Sequence, residues 1–383
     1  MSTSALLVST ATKWFGTARI PRGLARAGFS VSLLTPPNSL AEKSGYVATV
    51  HHLPDDVTPR EWLNAFAAAV RATAPRIVIP CDDVAFRLLA WVVLSPPGYM
   101  PAKLHMQLSA LIRQSLGDPA HYRESVDKTL LPPVAESIDV RVPPYAMVER
   151  VSDAERFADV HGYPVVLKRA HGFAGQGVAI CATRSEIADA IATFASADAQ
   201  DPLEPSGGRY LVQARIEGPV NYFHAAAWNG VVLAEWSLEK LVANPAPMGP
   251  PTVTRYFRSP MLRSVGEQLA RGLGMSGLFF AEFILDSRSG APLLLEINRR
   301  VSPATHRGEA RNVDFCAALH AAVHQNASTS RSELDVGEQG ISVHFPQEWL
   351  RDPESSYLTR YPSDVPWDEP QLLAALLAFR RES

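Results

Sequence analysis

Two acidic residues stand inside otherwise apolar runs in the stretch Gly277-Leu-Phe-Phe-Ala-Glu282-Phe-Ile-Leu-Asp286-Ser-Arg-Ser-Gly290-Ala-Pro-Leu-Leu-Leu-Glu296-Ile-Asn298-Arg-Arg300. The runs flank a turn rich in Asp, Ser and Gly, which predicts a β-hairpin. If that turn centres on Ser289, Glu282 lies directly opposite Glu296, and the period of two along a strand puts Asn298 on the face of Glu296. Like charges placed opposite one another are destabilising. Facing carboxylates in an apolar hairpin are costly, or one takes up a proton, unless a cation sits between them. An oxygen-only donor set suits Mg²⁺, which keeps waters and shares substrate phosphates. The alternative is an exposed hairpin with two ordinary glutamates, and the flanking Phe279, Phe280, Phe283, Ile284 and Leu293 to Leu295 leave little surface for it.

A second constellation is Tyr163-Pro-Val-Val-Leu-Lys168-Arg-Ala-His171-Gly172-Phe-Ala-Gly175-Gln176-Gly177-Val-Ala-Ile. Here a strand from Val165 to Arg169 enters a loop with three glycines and leaves as a strand from Val178 to Ala182. Glycine lets backbone amides approach a polyanion, and a lysine ending an apolar strand needs an anionic partner. Together they form a candidate phosphate cradle, with a plain glycine-rich hairpin and an edge-strand Lys168 as the alternative. The loop is not a Walker A motif, because no Gly-Lys-Ser/Thr follows Gly177, and Ile180 stands where a kinase loop has its last glycine. A third stretch, Arg209 to Asn221, reads as a strand stopping at Glu217-Gly218-Pro219. A free strand edge there could hydrogen-bond an adenine; pairing with another strand is the ordinary alternative.

The elements around these residues fall into distinct regions. In the first third, strands at Ala5–Thr10, Ser30–Leu34 and Arg76–Ile79 alternate with helices at Ala18–Ala27 and Pro59–Ala74, which predicts a small parallel α/β layer. The turn Ala11 to Gly16 lacks G-x-G-x-x-G and carries no dinucleotide fingerprint. Pro80-Cys81-Asp82-Asp83 ends a strand, where ligands of open α/β sheets sit; a helix N-cap is the competing role for either aspartate. A helix near Leu104–Leu116 closes this part, with the first boundary near 110 to 115. From Tyr145 the pattern is α+β. The tail holds a strand at Gly340–Phe345 and a leucine-rich helix with Asp368 as its cap and Pro370 in its first turn, docked on its own chain or across a homodimer.

With 36 Lys plus Arg against 39 Asp plus Glu, the net charge of −3 offers no electrostatic case for nucleic acid or an anionic membrane surface as partner. Apolar runs such as Leu88 to Leu94 are far short of the roughly 20 residues of a membrane span. The amino terminus does not read as a signal peptide. Three scattered cysteines, at 81, 181 and 316, form neither a disulfide framework nor a zinc set, and a reduced, cytoplasmic setting is expected. No G-x-S-x-G or H-E-x-x-H motif is present.

Taken in order, Asp127-Lys128, Pro164 to Lys168 with its glycine loop, Val212-Gln213 to Ile216-Glu217-Gly218, Glu282, and Glu296-Ile297-Asn298-x-Arg300 resemble the ATP-grasp superfamily. The branch is that of carbamoyl-phosphate synthase and D-alanine–D-alanine ligase domains. The resemblance covers about Lys128 to Ala322, and the α/β segment before it is similar to the pre-grasp domain of that family. It implies a Rossmann-like pre-grasp domain (1–112), a two-lobed ATP-grasp domain (113–328, lid about 125–208) and a small C-terminal extension (329–383). It further implies that Lys128 and Lys168 contact ATP phosphates, with Lys168 and Arg300 catalytic. The loop with Gly172, Gly175, Gln176 and Gly177 closes over them, and Gln213, Ala214 and Ile216 hold adenine. Glu282, Glu296 and Asn298 ligate Mg²⁺, or Mn²⁺. Arg255, Arg300, His306 and Arg307 are candidates for the acid substrate, with Tyr256 and Arg258 nearby; for each of these, surface solvation or a structural ion pair competes. Two departures stand out: Val220 occupies the place of a ribose-binding acid, with Asn221 as a substitute, and Arg299 replaces a proline and adds a charge to the phosphate end. The implied activity is ATP-dependent joining of a small acid or amino acid to an amine through an acylphosphate. The competing readings are a phosphotransferase without an amine acceptor and a non-catalytic ATP-binding regulator.

Overall fold

The computed structural model describes residues 3–54, 57–172, 175, 177–200, 203, 208–308, 311–326, 334–335 and 340–379. The chain opens with β1 (Thr3–Val8), α1 (Phe15–Arg26), β2 (Phe29–Thr35), β3 (Val47–His52), α2 (Pro59–Thr73), β4 (Ile77–Pro80), α3 (Asp83–Leu94) and α4 (Ala102–Leu116). The four strands pair in parallel in the order β3-β2-β1-β4. Being central and parallel, β1 is apolar on both faces: Ala5 and Leu7 belong to one core, Leu6 and Val8 to another. Thr58 and Glu61 form a capping box at the start of α2, with Pro59 at its first position.

Asp82, between β4 and α3, takes the N-cap role. Its carboxylate accepts from Ala85 N at 2.8 Å, and also from Thr10 N at 2.6 Å, Thr10 Oγ1 at 2.8 Å and Ser9 Oγ at 2.9 Å. It thereby fixes the turn after β1, which leads to Trp14 and α1. Asp83 meets Arg300 instead.

After α5 (Leu131–Ser137) come β5 (Tyr145–Val148), α6 (Val151–His161), β6 (Val165–Arg169), β7 (Val178–Cys181), α7 (Arg184–Asp198) and β8 (Tyr210–Ala214). Their strands form an antiparallel sheet in the order β5-β8-β6-β7. Val165 and Leu167 face a core shared with α6 and α7, which turns Lys168 to the opposite face. With β8 on one side and β7 on the other, β6 is an inner strand, so the edge-strand alternative for Lys168 does not hold.

The next part contains β9 (Val220–Trp228), β10 (Val231–Ala243), β11 (Pro251–Phe257), α8 (Pro260–Gly272), β12 (Gly277–Leu285), β13 (Pro292–Asn298), α9 (Phe315–Val323) and β14 (Ile341–Val343). They build an antiparallel sheet in the order β13-β12-β9-β10-β11-β14. Tyr222, Trp236 and Phe280 face the core of α1 and α9; Phe223, Phe279 and Phe283 face α5 and α8. The chain ends with α10 (Gln347–Arg351), α11 (Ser356–Arg360) and α12 (Pro370–Ala378). Asp368 does not cap α12: the helix begins after Glu369, and Asp368 pairs with Arg22 at 2.6 Å. Leu372 and Leu376 are buried in the chain's own core. Among the described residues no helix is long and apolar enough to cross a membrane.

Replacing Asp82 by Ala removes a cap and the anchor of the turn after β1 together. Since a lost cap alone costs about 1 kcal/mol, we expect Asp82→Ala to lower the unfolding free energy by about 2–3 kcal/mol in urea titrations.

Candidate active site

In the β12–β13 ladder Glu282 lies opposite Glu296 and Phe280 opposite Asn298. This is the facing pair the sequence predicts, reached by a different route. Nearer the turn the register runs Leu285 to Pro292, Ile284 to Leu293 and Phe283 to Leu294, which corresponds to a turn one half-step shorter. A β-bulge at Leu295 supplies the missing residue. The bulge also leaves the Leu295 carbonyl for the Lys168 ammonium, which donates to it at 3.1 Å from the neighbouring sheet.

The charge balance corrects the expectation that only an ion between the acids can reconcile them. Lys128 Nζ lies 3.3 Å from Glu296 Oε2 and also donates to the Gly172 carbonyl at 2.7 Å. Lys240 Nζ lies 3.6 Å from Glu282 Oε1. Burial pushes both carboxyls up. For Glu296 the Lys128 ammonium, the Asn298 amide, Lys168 and Arg300 outweigh it and hold the group at about 2. For Glu282 burial prevails over Lys240 and, reinforced by the Glu296 charge, raises it. Burial lowers Lys168 to about 8, opposed by Glu296 and assisted by Lys128. Lys240 was not anticipated from the sequence. The available signal was a lone cation in a strand whose preceding alternate positions, Trp236 and Leu238, are buried.

Arg300 is held on every side. It donates through Nε to Asp83 Oδ2 at 2.9 Å and through Nη2 to Asn298 Oδ1 at 3.1 Å. Its guanidinium carbon lies 4.9 Å from the Trp14 ring and 5.2 Å from that of Phe280. Asn298 in turn donates to Glu296 Oε1 at 3.1 Å, so its oxygen is turned to Arg300 and its nitrogen to the acid. Arg299 adds no charge here. Lying just past the end of β13, it is 1% exposed, donates to the Leu116 carbonyl and lies 5.1 Å over the Phe86 ring.

Two cavities meet at the paired acids. One, of about 250 Å³, lies between the two antiparallel sheets and is lined by Lys168, Val178, Ile216, Lys240, Glu282 and Glu296. The other, of about 70 Å³, lies beyond the acids and is lined by Trp14, His224, Phe280, Arg300 and His344 together with both carboxylates. Burial lowers both histidines to about 3, so they are neutral.

The remaining sequence candidates divide. Gly172, Gly175 and Gly177 all take positive φ (151°, 83° and 76°), and Gly175 lines both cavities; Gln176 lies outside the described residues. Gln213, Ala214 and Ile216 line the inter-sheet cavity, but β8 is paired on both sides, so the free-edge reading fails for Gln213 and Ala214. Only the residues past the end of β8, from Arg215, leave the ladder. Asn221 is turned away and donates to the Pro219 carbonyl at 3.1 Å, while Val220 lines the cavity. Arg255 pairs with Glu239 at 3.1 Å on the sheet surface. His306 meets Asp364 at 2.8 Å and Arg307 donates to the Val343 carbonyl at 3.1 Å, both in a separate cavity. These last three therefore do not join Arg300.

Glu282 and Glu296 present carboxylate oxygens side by side, donor chemistry that fits a Mg²⁺ ion taking its other ligands from phosphate and water. Among the described residues no group of three or more His, Cys, Asp or Glu side chains could hold a metal without such outside ligands.

Residues 127–210 match the family described as carbamoyl-phosphate synthase L chain, ATP binding domain. The chain is 23% identical over 282 residues to the arginine-specific carbamoyl phosphate synthase large chain of Neurospora crassa mitochondria, covering 68% of this chain but 23% of that protein. Among solved structures it resembles the biotin carboxylase domain of 2-oxoglutarate carboxylase from Hydrogenobacter thermophilus, a dimer solved with MgADP, ADP and bicarbonate. The TM-score is 0.65 at 16% identity, covering 87% of this chain and 71% of that one. It also resembles an L-amino acid ligase from Bacillus licheniformis, with a TM-score of 0.60 at 14% identity and coverage of 86% and 77%. These likenesses all indicate the ATP-grasp fold, the resemblance noted in the sequence.

Without Lys240, Glu282 keeps no ammonium at contact distance among the described residues, and its carboxyl rises further. A raised carboxyl is stabilising only while protonated, so the penalty is absent below the unfolded value and grows as pH rises. Lys240→Met should therefore cost about 2 kcal/mol at pH 8 and clearly less at pH 5, as read from denaturant midpoints at the two pH values.

Proposed function

We propose that the chain is an ATP-dependent carboxylate–amine ligase that joins a small acid or amino acid to an amine and releases ADP and phosphate. The observation that carries this reading is that an inter-sheet cavity rich in lysine and a small cavity ending in Arg300 share Glu282 and Glu296 as their common wall. ATP occupies the first, with its phosphates toward Lys128, Lys168 and Lys240, the loop at Gly172, Gly175 and Gly177 over them, and adenine by Arg215 and Ile216. The acid occupies the second. Its carboxylate meets Arg300, and its body lies against Trp14, Leu238 and Phe280. With His224 and His344 neutral, Arg300 is the one cation among the described residues that line the small cavity, which disfavours a second negative charge on the acid. Domain limits follow the sequence: a pre-grasp domain over 1–112, the ATP-grasp domain over 113–328 with its lid at about 125–208, and an extension over 329–383.

The chemistry needs no covalent enzyme intermediate. An oxygen of the acid attacks the γ-phosphorus, the bond to the β,γ-bridging oxygen breaks, and ADP departs with the electron pair. The amine then attacks the acyl carbon, the acyl carbon–oxygen bond breaks, and phosphate leaves with the amine's proton passing to solvent. Lys168 and Arg300 hold the reacting oxygens in line and offset their charge. A Mg²⁺ or Mn²⁺ ion held by Glu282 and Glu296 supplies further charge neutralisation on the phosphate oxygens. Apolar walls keep water from the acylphosphate.

A phosphate-release screen of amino-acid pairs and small acids with Mg-ATP tests the proposal. We expect ADP and phosphate only when acid and amine are both present. A stable phosphorylated product without amine would mark a phosphotransferase, and binding without turnover on a broad panel would mark a regulator; either result overturns the ligase. Glu296→Ala should abolish turnover with an unchanged circular dichroism spectrum, and undiminished activity in it removes the metal assignment.

Lys168 sets a pH dependence. Its ammonium is present below about 8 and lost above. ATP affinity, measured by calorimetry, should be flat up to about pH 8 and weaken above it by at most about tenfold per pH unit. Lys168→Met should bind more weakly at pH 7 and show a flat profile across the same range.

A further inference from the structure

A third cavity, of about 640 Å³, lies between α1, the turn at Thr305–Arg307 and the segment from Pro362 to Glu369. It is unusual in charge. Arg19, Arg22, Arg26, Arg307 and Arg311 line it against Asp364, Asp368 and Glu369, which leaves two positive charges unbalanced in a chain whose net charge is −3. Part of this charge is tied up: Arg22 meets Asp368 at 2.6 Å, Arg307 lies 3.9 Å from Asp364, and Arg311 donates to the Asp335 carbonyl at 3.2 Å. Arg19 differs. It is only 9% exposed and donates through Nη2 to the Asp364 carbonyl, but its Nη1 is buried with no hydrogen-bond partner among the described residues. A buried guanidinium nitrogen left unpaired is costly, and a ligand acceptor relieves that cost.

The chemistry of the wall selects the ligand. Guanidinium forks arriving from several directions suit the tetrahedral oxygens of phosphate, and a phosphomonoester carries a charge near −2 at neutral pH, matching the excess. Trp367 lines the same cavity with 79% of its surface exposed, an indole face open to a flat ring. We propose that this cavity binds a phosphomonoester bearing an aromatic ring, of the nucleoside monophosphate class, with the phosphate near Arg19 and Arg22 and the ring on Trp367. The site is separate from the paired acids: its lining shares no residue with either cavity at Glu282 and Glu296.

AMP titrated into the full chain, followed by calorimetry and tryptophan fluorescence, tests this. Arg22→Gln and Trp367→Ala are the informative variants, because Arg22 is 34% exposed and Trp367 79%, so neither should threaten folding. We expect one AMP to bind per chain, at least tenfold more weakly in both variants and unchanged in Lys168→Met, with succinate failing to compete. Any of three results overturns the proposal: no binding at millimolar AMP, binding weakened by Lys168→Met, or equal competition by succinate. Undiminished binding in Arg22→Gln and Trp367→Ala overturns it as well.

Discussion

Two carboxylates held side by side between apolar sheets must be balanced, and how they are balanced shapes the whole molecule. Three lysines stand around Glu282 and Glu296, and they come from three parts of the chain. Lys128 precedes α5, Lys168 ends the inner strand β6, and Lys240 lies far along β10. None of them could be gathered by a local segment. The smaller antiparallel sheet must approach the larger one for Lys168 to reach the Leu295 carbonyl. Charge balance at the acids and closure of the two sheets are therefore one constraint. The balance is also adjustable: the Lys240 ammonium, 3.6 Å from Glu282 Oε1, itself lines the inter-sheet cavity and faces any anion entering it. On the proposed reading this is what lets a polyphosphate enter without stranding either carboxylate.

The bulge at Leu295 makes this arrangement possible. Continuing the register of the turn without a bulge would bring Leu295, not Glu296, opposite Glu282 and would send the second acid to the other face of the sheet. One unpaired residue realigns the acids and frees a carbonyl for Lys168. Both effects occur at one residue, so loss of the bulge would dismantle the facing pair and the inter-sheet hydrogen bond together.

Residue type and period two made the acids legible. Glu282, Glu296 and Asn298 could be assigned to one face because a hairpin offers few registers and the intervening turn is short. The parallel layer was legible for a similar reason, since buried strands such as Ala5–Val8 alternate with amphipathic helices. Failures arose where sequence proximity stood in for spatial proximity. Arg299 and Arg300 are adjacent but part just past the end of β13, Arg299 to the Leu116 carbonyl and Arg300 to Asp83. His306 and Arg307 follow closely, yet the turn at Thr305–Arg307 carries them into another cavity. Lys240 and Trp14 went unnoticed because each is a single residue whose partners lie 42 and about 286 positions away, a separation that no local pattern encodes.

The position of Arg300 shows why the amino-terminal layer belongs to the site. Of the groups that fix this guanidinium, Asn298 and Phe280 come from the large sheet, but Asp83 comes from the first turn of α3 and Trp14 from the residue before α1. Asp82 ties those two segments together by bonding Thr10 and capping α3. A large antiparallel sheet alone would leave Arg300 without Asp83 and Trp14, and the small cavity with an open side at Trp14. An arginine stacked between two rings and bonded to three acceptors has little freedom to follow a ligand, so a carboxylate reaching it must conform to its fixed direction. On the proposed reading, selection by shape is then built in by the amino-terminal layer.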